Sequence, residues 1–309
     1  MNNQFIQKNG VAINVISRDL LIQSDGDKMK TIAIYEKQLA CSRWTIQTAI
    51  QFLLENQVLQ IDSFGPKGSI VHHINKKMLF EYADWNPMLD LLPVPSSDIH
   101  HALLTGIADA INRAELPINF VYMAPASKRF EMLSKMQCNF ILTSKLAARI
   151  DSEKYKNLKV TLELEGSKYC SPYKLYTMRN DISTIEDGMR VGIYDAAIEQ
   201  RYLTDLLCQG KNVEKKYANY QNCFIMLATG EIDVLIQRGD LKDVPISATR
   251  SIPLPQLDAE IEEEIITPVF MVNTDDYGIE PLLKKHIDLG MISFVQSSVL
   301  SGQRRYSYF

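Results

Sequence analysis

The side chains able to do chemistry in this 309-residue sequence are mostly hydrogen-bonding and cationic groups, set where short apolar runs end. Ser96 and Ser97 follow Leu91-Leu-Pro-Val94, Thr143 and Ser144 follow Phe140-Ile-Leu142, and Gln237 and Arg238 follow Val234-Leu-Ile236. Asp195 comes after Met189 to Tyr194, while Ser127 and Lys128 open a helical pattern after Ile118 to Met123. In open α/β sheets, ligands sit outside the carboxyl ends of strands, where helix N-termini present free N–H groups. These nine positions, with Tyr173 on the segment joining two halves of the chain, are the candidate effector-binding set. Lys128 and Arg238 among hydroxyls suit an anionic ligand, a phosphate, phosphonate or carboxylate. Plainer roles stay open. The serines and Asp195 also suit helix caps, and Lys128 and Arg238 also suit solvated surface charges.

Catalytic signatures are absent: there is no Gly-x-Ser-x-Gly, no Walker loop and no HExxH. No catalytic residue and no cofactor is therefore expected. Glu260-Ile-Glu-Glu-Glu264 reads as a solvated helix face. The five cysteines are widely spaced without a CxxC pair, so neither a disulfide framework nor a metal site is indicated. His72 and His73, adjacent in a strand, point to opposite faces. Cys170, beside Ser171-Pro172, is the one thiol to watch, and a buried, inert cysteine is the expectation.

Positioning such groups needs strands alternating with helices. From Leu91 onward the pattern runs strand, helix (Ala102 to Arg113), strand (Ile118 to Met123), helix (from Pro125 to about Met136), strand (Phe140 to Leu142). That alternation predicts a parallel, doubly wound sheet. The unit recurs, because Phe130 to Leu142 aligns without gaps on Phe224 to Ile236. Two βαβαβ halves predict two similar lobes with a cleft between them. The phrase Gly230-Glu-Ile-Asp-Val-Leu resembles the strand entry of periplasmic solute-binding proteins, whose two-lobed (type II) plan the fold is expected to follow.

The first eighty residues have a different rhythm. Val11 to Ile22 is an amphipathic helix, Thr31 caps a second, and Ser42 caps a third from Arg43 to Asn56 with Ile46, Ala49, Ile50, Leu53 and Leu54 as its apolar stripe. Val58 to Ile61 and Ser69 to Val71 form two short strands around a Gly-Pro-Lys-Gly tip. Three helices and a hairpin in this order predict a winged helix-turn-helix, whose third helix enters the major groove of double-stranded DNA. A winged helix used for protein contacts is the alternative. Charge divides accordingly: residues 1–77 hold nine Lys+Arg against six Asp+Glu, and the remainder 24 against 31. A slightly basic head on an acidic body suits a DNA-contacting module with a regulatory body.

The run from Cys41-Ser-Arg-Trp-Thr-Ile-Gln-Thr-Ala-Ile to Gly65-Pro-Lys-Gly-Ser-Ile-Val71 resembles the GntR-type winged helix. The resemblance implies phosphate contacts from Ser42, Arg43 and Thr45, groove-facing Trp44, Gln47 and Thr48, and a wing shaped by Gly68. Thr31 and Lys67 complete the candidate DNA-binding set. Two departures stand out: Gln47 replaces a family arginine and Gln57 a family glycine, so base preference is expected to differ.

Over nearly its full length the sequence resembles the YhfZ family of GntR-like regulators. Leu92-Pro-Val-Pro95, Ser144-Lys-Leu-Ala-Ala148, Thr161-Leu-Glu-Leu-Glu-Gly166, Val269 to Tyr277 and Val299-Leu-Ser-Gly302 carry that resemblance. It implies a winged helix at 1–77, a linker at 78–92 and a two-lobed effector domain at 93–309 (lobe I about 93–168 plus 268–309, lobe II about 169–267). The expected function is a cytoplasmic transcriptional regulator, a homodimer whose operator binding responds to a small effector. No run of about 20 apolar residues and no signal peptide is seen, so no membrane association is expected. An enzyme of small-molecule metabolism with an N-terminal interaction module is the alternative.

Overall fold

The computed structural model describes residues 8–63, 68–194, 196–240, 249–255 and 257–307. Two compact units divide the chain: Met1–Met88 with Leu116–Asn119 and Asp275–His286, and Leu89–Glu115 with Phe120–Thr274 and Ile287–Phe309.

In the first unit, helices α1 (Lys8–Leu21), α2 (Ile32–Leu39) and α3 (Arg43–Glu55) precede the antiparallel hairpin of β1 (Leu59–Ser63) and β2 (Ser69–Ile74), with α4 (Lys76–Tyr82) following. Ile16 and Leu20 of α1, Tyr35 of α2 and Ile46, Ala49 and Leu53 of α3 are fully buried against one another and against Val58 and Val71. The caps are local. Thr31 accepts from the Ile34 N–H and Ser42 from the Thr45 N–H, each satisfying a donor the helix cannot. Ala40, in the left-handed region at φ 48°, turns the chain between α2 and α3. Gln57 is also left-handed, at φ 58°. The position where the resembled family carries glycine keeps the glycine conformation, although its residue has a Cβ.

A linker at 78–92 was expected, but that segment is built into the structure. Trp85 is fully buried, Arg18 stacks 4.3 Å above its ring, and Gly278 fits against both at φ 86°. Arg18 also pairs with Asp276 at 2.6 Å, and the adjacent Asp19 accepts from the Tyr277 hydroxyl (2.6 Å) and Lys30 (2.8 Å). Burial alone would lower the Lys30 ammonium. Its hydrogen bonds to Asp19 and Tyr277 outweigh that and raise it. Sequence reading takes the prolines as a connector because the partners of Trp85, Arg18 and Gly278, lie far from it in the chain.

Two five-stranded sheets follow. After β3 (Met88–Leu92) come α5 (Asp98–Arg113), β4 (Ile118–Tyr122), α6 (Ala126–Ser134), β5 (Phe140–Ser144), α7 (Lys145–Ser152) and β6 (Leu158–Glu163). The chain then crosses to β7 (Tyr173–Thr177), β8 (Arg190–Ile193), α8 (Ile198–Leu207), β9 (Glu214–Tyr217), α9 (Tyr220–Ala228), β10 (Val234–Arg238) and β11 (Arg250–Pro253). It returns through α10 (Ala259–Ile266) to β12 (Pro268–Asn273), α11 (Ile279–His286) and α12 (Leu289–Leu300). The sheet orders are β4-β3-β5-β12-β6 and β11-β7-β10-β8-β9. In each, three successive strands lie in the order second, first, third, so the repeat read from Phe130 and Phe224 is a repeat of structure.

The sheets are mixed rather than wholly parallel. β12 runs antiparallel to β5 and β6, and β7 antiparallel to β10 and β11. The physical reason is connectivity: β7 and β12 are each entered from the opposite lobe, not through a βαβ crossover. The two crossing segments lie side by side, the Tyr169 N–H donating to the Ile266 carbonyl at 2.7 Å.

Helix α12 packs on α5 at Gly106, where an added Cβ would lie 2.6 Å from the Ile292 carbonyl oxygen. Gly106→Ala is expected to destabilise the protein by roughly 1–3 kcal/mol through overpacking. This would outweigh the gain of about 0.5–1 kcal/mol that alanine brings to a free helix position. Denaturant titration checks it, and an unchanged or raised midpoint would contradict the close contact.

Candidate functional site

The second unit holds a cleft of about 160 Å³ where its two sheets face each other. Arg129, in the first turns of α6, and Arg238, the last residue of β10, reach it from opposite lobes. Arg129 is 2% exposed; its Nη1 donates to the Met123 carbonyl at 2.6 Å and its Nε has no partner. Arg238 donates from Nη1 to His100 Nε2 at 2.9 Å and from Nη2 to Ser96 Oγ. Neither guanidinium forms an ion pair among the described residues. Burial pushes the His100 imidazole well below its ordinary value, with Arg238, Arg129 and His101 adding to the shift. It is therefore neutral at physiological pH and accepts from Arg238.

Glu199, in the first turn of α8, brings a carboxylate to the same cleft and accepts from the Ser144 hydroxyl at 2.7 Å. Tyr169, Tyr173, Tyr194 and Tyr220 complete the aromatic wall, and burial pushes the Tyr169 phenol up to about 12. The arrangement suits holding an anion by charge-assisted hydrogen bonds in a partly desolvated setting. Cys170 is buried beside it, its Sγ 3.6 Å from the Ile265 carbonyl, and burial pushes the thiol up, away from the reactive thiolate.

Of the candidate effector residues, Tyr173, Gln237 and Arg238 line the cleft. Ser96 and Ser144 stand one hydrogen bond behind it, on Arg238 and Glu199. Ser97 caps α5 by accepting from the His100 N–H at 3.2 Å, and so sets the histidine. Thr143 is fully buried in β5, its hydroxyl without a partner, and Ser127 and Lys128 do not line the cleft. Lys128 is an exposed charge paired with Glu131 at 2.8 Å; the next residue on the helix, Arg129, takes the inward position. Asp195 lies outside the described residues. Sequence reasoning missed Arg129, His100, Glu199, Tyr169, Tyr194 and Tyr220. Helical phase was the available signal for Arg129, since Phe130 and Leu133 fix the buried face that it shares.

In the first unit, the inner face of α3 is core and the outer face is polar. Arg43 and Gln47 are exposed, Trp44 is 68% exposed and Thr48 is half-buried. Arg43 and Gln47 open on a hollow of about 480 Å³ bounded by Lys30, Thr31 and Gly68. Thr45, expected at a phosphate, is buried, with its hydroxyl 2.9 Å from that of Ser42. Ser42 and Thr45 thus fix the start of the helix, leaving the outward contact to Arg43. Gly68 sits at φ 94° with an ideal Cβ position 2.7 Å from Lys28 Cε, a place only glycine fills without strain. Lys67 lies outside the described residues.

The chain is 26% identical to the uncharacterized protein YhfZ of Escherichia coli (strain K12), covering 100% of both. The crystal structure of YhfZ from Shigella flexneri superposes with a TM-score of 0.62 at 23% identity, over 75% of this chain and 97% of that one. An ancestral arginine-binding protein bound to arginine matches with a TM-score of 0.50 at 11% identity, over 70% and 96% of the two chains, a likeness of fold. The family model described as the YhfZ C-terminal domain matches residues 75–308, and the chain belongs to that family.

Proposed function

We propose that the chain is a DNA-binding transcriptional regulator whose two-lobed domain binds a small anionic effector. The observation that carries the proposal is the division of labour within one chain. A cleft holds two guanidiniums that form no ion pair among the described residues. In the first unit, α1 to α3 and the β1–β2 hairpin leave the polar face of α3 exposed. The order of its elements and the GntR-like motif support a winged helix-turn-helix, with α3 as the helix that reads the major groove.

Arg129 belongs to one lobe and Arg238 to the other, so an anion between them draws on both. Its differential affinity for closed and open lobes is the free energy available to shift DNA binding. Half-site recognition by such heads calls for two copies, hence a homodimer. We place the protein in the cytoplasm, with its DNA. Among the described residues no helix is long and apolar enough to cross a membrane. An enzymatic role finds less support, because His100 is held neutral by burial and already engaged by Arg238.

Arg43→Ala tests the head. It is expected to weaken DNA binding about uniformly across sequences and to reduce the salt slope by about 1. Gel shifts over a salt series measure both, and an unchanged slope would contradict the placement of α3 on the phosphates.

A further inference from the structure

Three charged side chains line the cleft, Arg129, Glu199 and Arg238, and none of them is closed off in an ion pair among the described residues. Arg129 is 2% exposed and Glu199 8%, and no ion pair joins either of them, or Arg238, to any described residue. Glu199 Oε1 accepts from the Ser144 hydroxyl at 2.7 Å. Both arginines act electrostatically on His100 and on Tyr169, so the two cations converge on one region. A buried ion without a counter-ion is costly, and it persists where something else supplies the counter-charge. Two guanidiniums and one carboxylate leave the cleft one positive charge in excess. The complement is a molecule with one ammonium and two negative charges.

We propose that the cleft takes a small amine-bearing dianion, its anionic oxygens on Arg129 and Arg238 and its ammonium on Glu199. The assignment rests on the anionic-effector reading and adds the ammonium to it. A cleft volume of about 160 Å³ accommodates such a molecule. The anionic part is either two carboxylates or one phosphate or phosphonate. Arginine serves each by the same forked hydrogen bonds.

The test is calorimetric titration of the full chain with matched pairs differing only in the amine: L-aspartate and succinate, 2-aminoethylphosphonate and ethylphosphonate, phosphoethanolamine and ethyl phosphate. In at least one pair the amine-bearing member is expected to bind at least about tenfold tighter, as a hydrogen bond to a charged group provides. The pair that responds identifies the anionic part. Glu199→Gln keeps an acceptor for Ser144 and is expected to abolish the preference while leaving the deaminated member bound. Deaminated members binding as tightly as their partners, or a preference unchanged in Glu199→Gln, would overturn the proposal. If deaminated members bind tightest and Arg238→Ala abolishes their binding, the anionic-effector reading stands and the ammonium site falls. If no member of any pair binds at millimolar concentration, both fall.

Discussion

Arg238→Ala is expected to weaken binding of the tightest probe in that series by roughly 2–5 kcal/mol, the usual cost of truncating one partner of a buried, hydrogen-bonded charge pair. At 1.4 kcal/mol per decade, this is a loss of about 30-fold to several-thousand-fold. The loss has two sources. The anion loses a guanidinium, and Ser96 and His100 lose the donor that now bridges them to the opposite lobe. Arg238→Lys separates these: it restores the charge but lacks the fork that reaches two acceptors at once, so its affinity should fall between the two. Titration calorimetry with a parallel melting curve measures the effect. Wild-type affinity in Arg238→Ala, with the fold intact, would remove the arginine from the site.

The second large effect lies in the repeated core. Phe130 and Phe224 are both fully buried and occupy equivalent turns of α6 and α9. Phe130 stacks on Tyr155 at 6.4 Å among Leu91, Leu133 and Ile141, and Phe224 meets Tyr176 and Tyr220 edge-on at 6.2 and 5.4 Å. Phe130→Ala and Phe224→Ala are each expected to cost about 3–5 kcal/mol, the removed side chain plus the cavity it leaves. Because the lobes are separate sheets, the two variants should destabilise different transitions if unfolding is resolved into steps. Denaturant unfolding followed by hydrogen exchange distinguishes them. Substitutions costing less than 1 kcal/mol would mean that these positions are not the centres of the two cores.

The repeat was legible in sequence because its signal is local. An apolar helix face, a tight turn and a buried strand recur with the same spacing, and Phe130 and Phe224 mark the register. The caps Thr31, Ser42 and Ser97 were legible for the same reason, since the accepting side chain and the donating N–H lie three residues apart. The antiparallel courses of β7 and β12 were not, because they depend on where the chain crosses between lobes. Nor was the burial of Trp85, whose partners come from both ends of the sequence. At the cleft, strand ends point to Arg238 and Gln237, but the opening of α6 points to Lys128, while its neighbour Arg129 is the residue that enters. A one-residue step along a helix turns a side chain by about 100°, enough to move a cation from solvent to cleft. His100 and Glu199 carry no sequence signature; they matter because Arg238 and Ser144, 138 and 55 residues away, meet them.

The measurement that bears most directly on the central claim is selection of genomic DNA fragments by the purified full-length protein, read by gel shift at about 50 and 200 mM salt. A regulator of this design retains specific fragments, shifts them at low salt, and loses affinity steeply at high salt as counterions compete for the phosphates. No shift at low salt would contradict DNA binding and leave the first unit as a protein-interaction module.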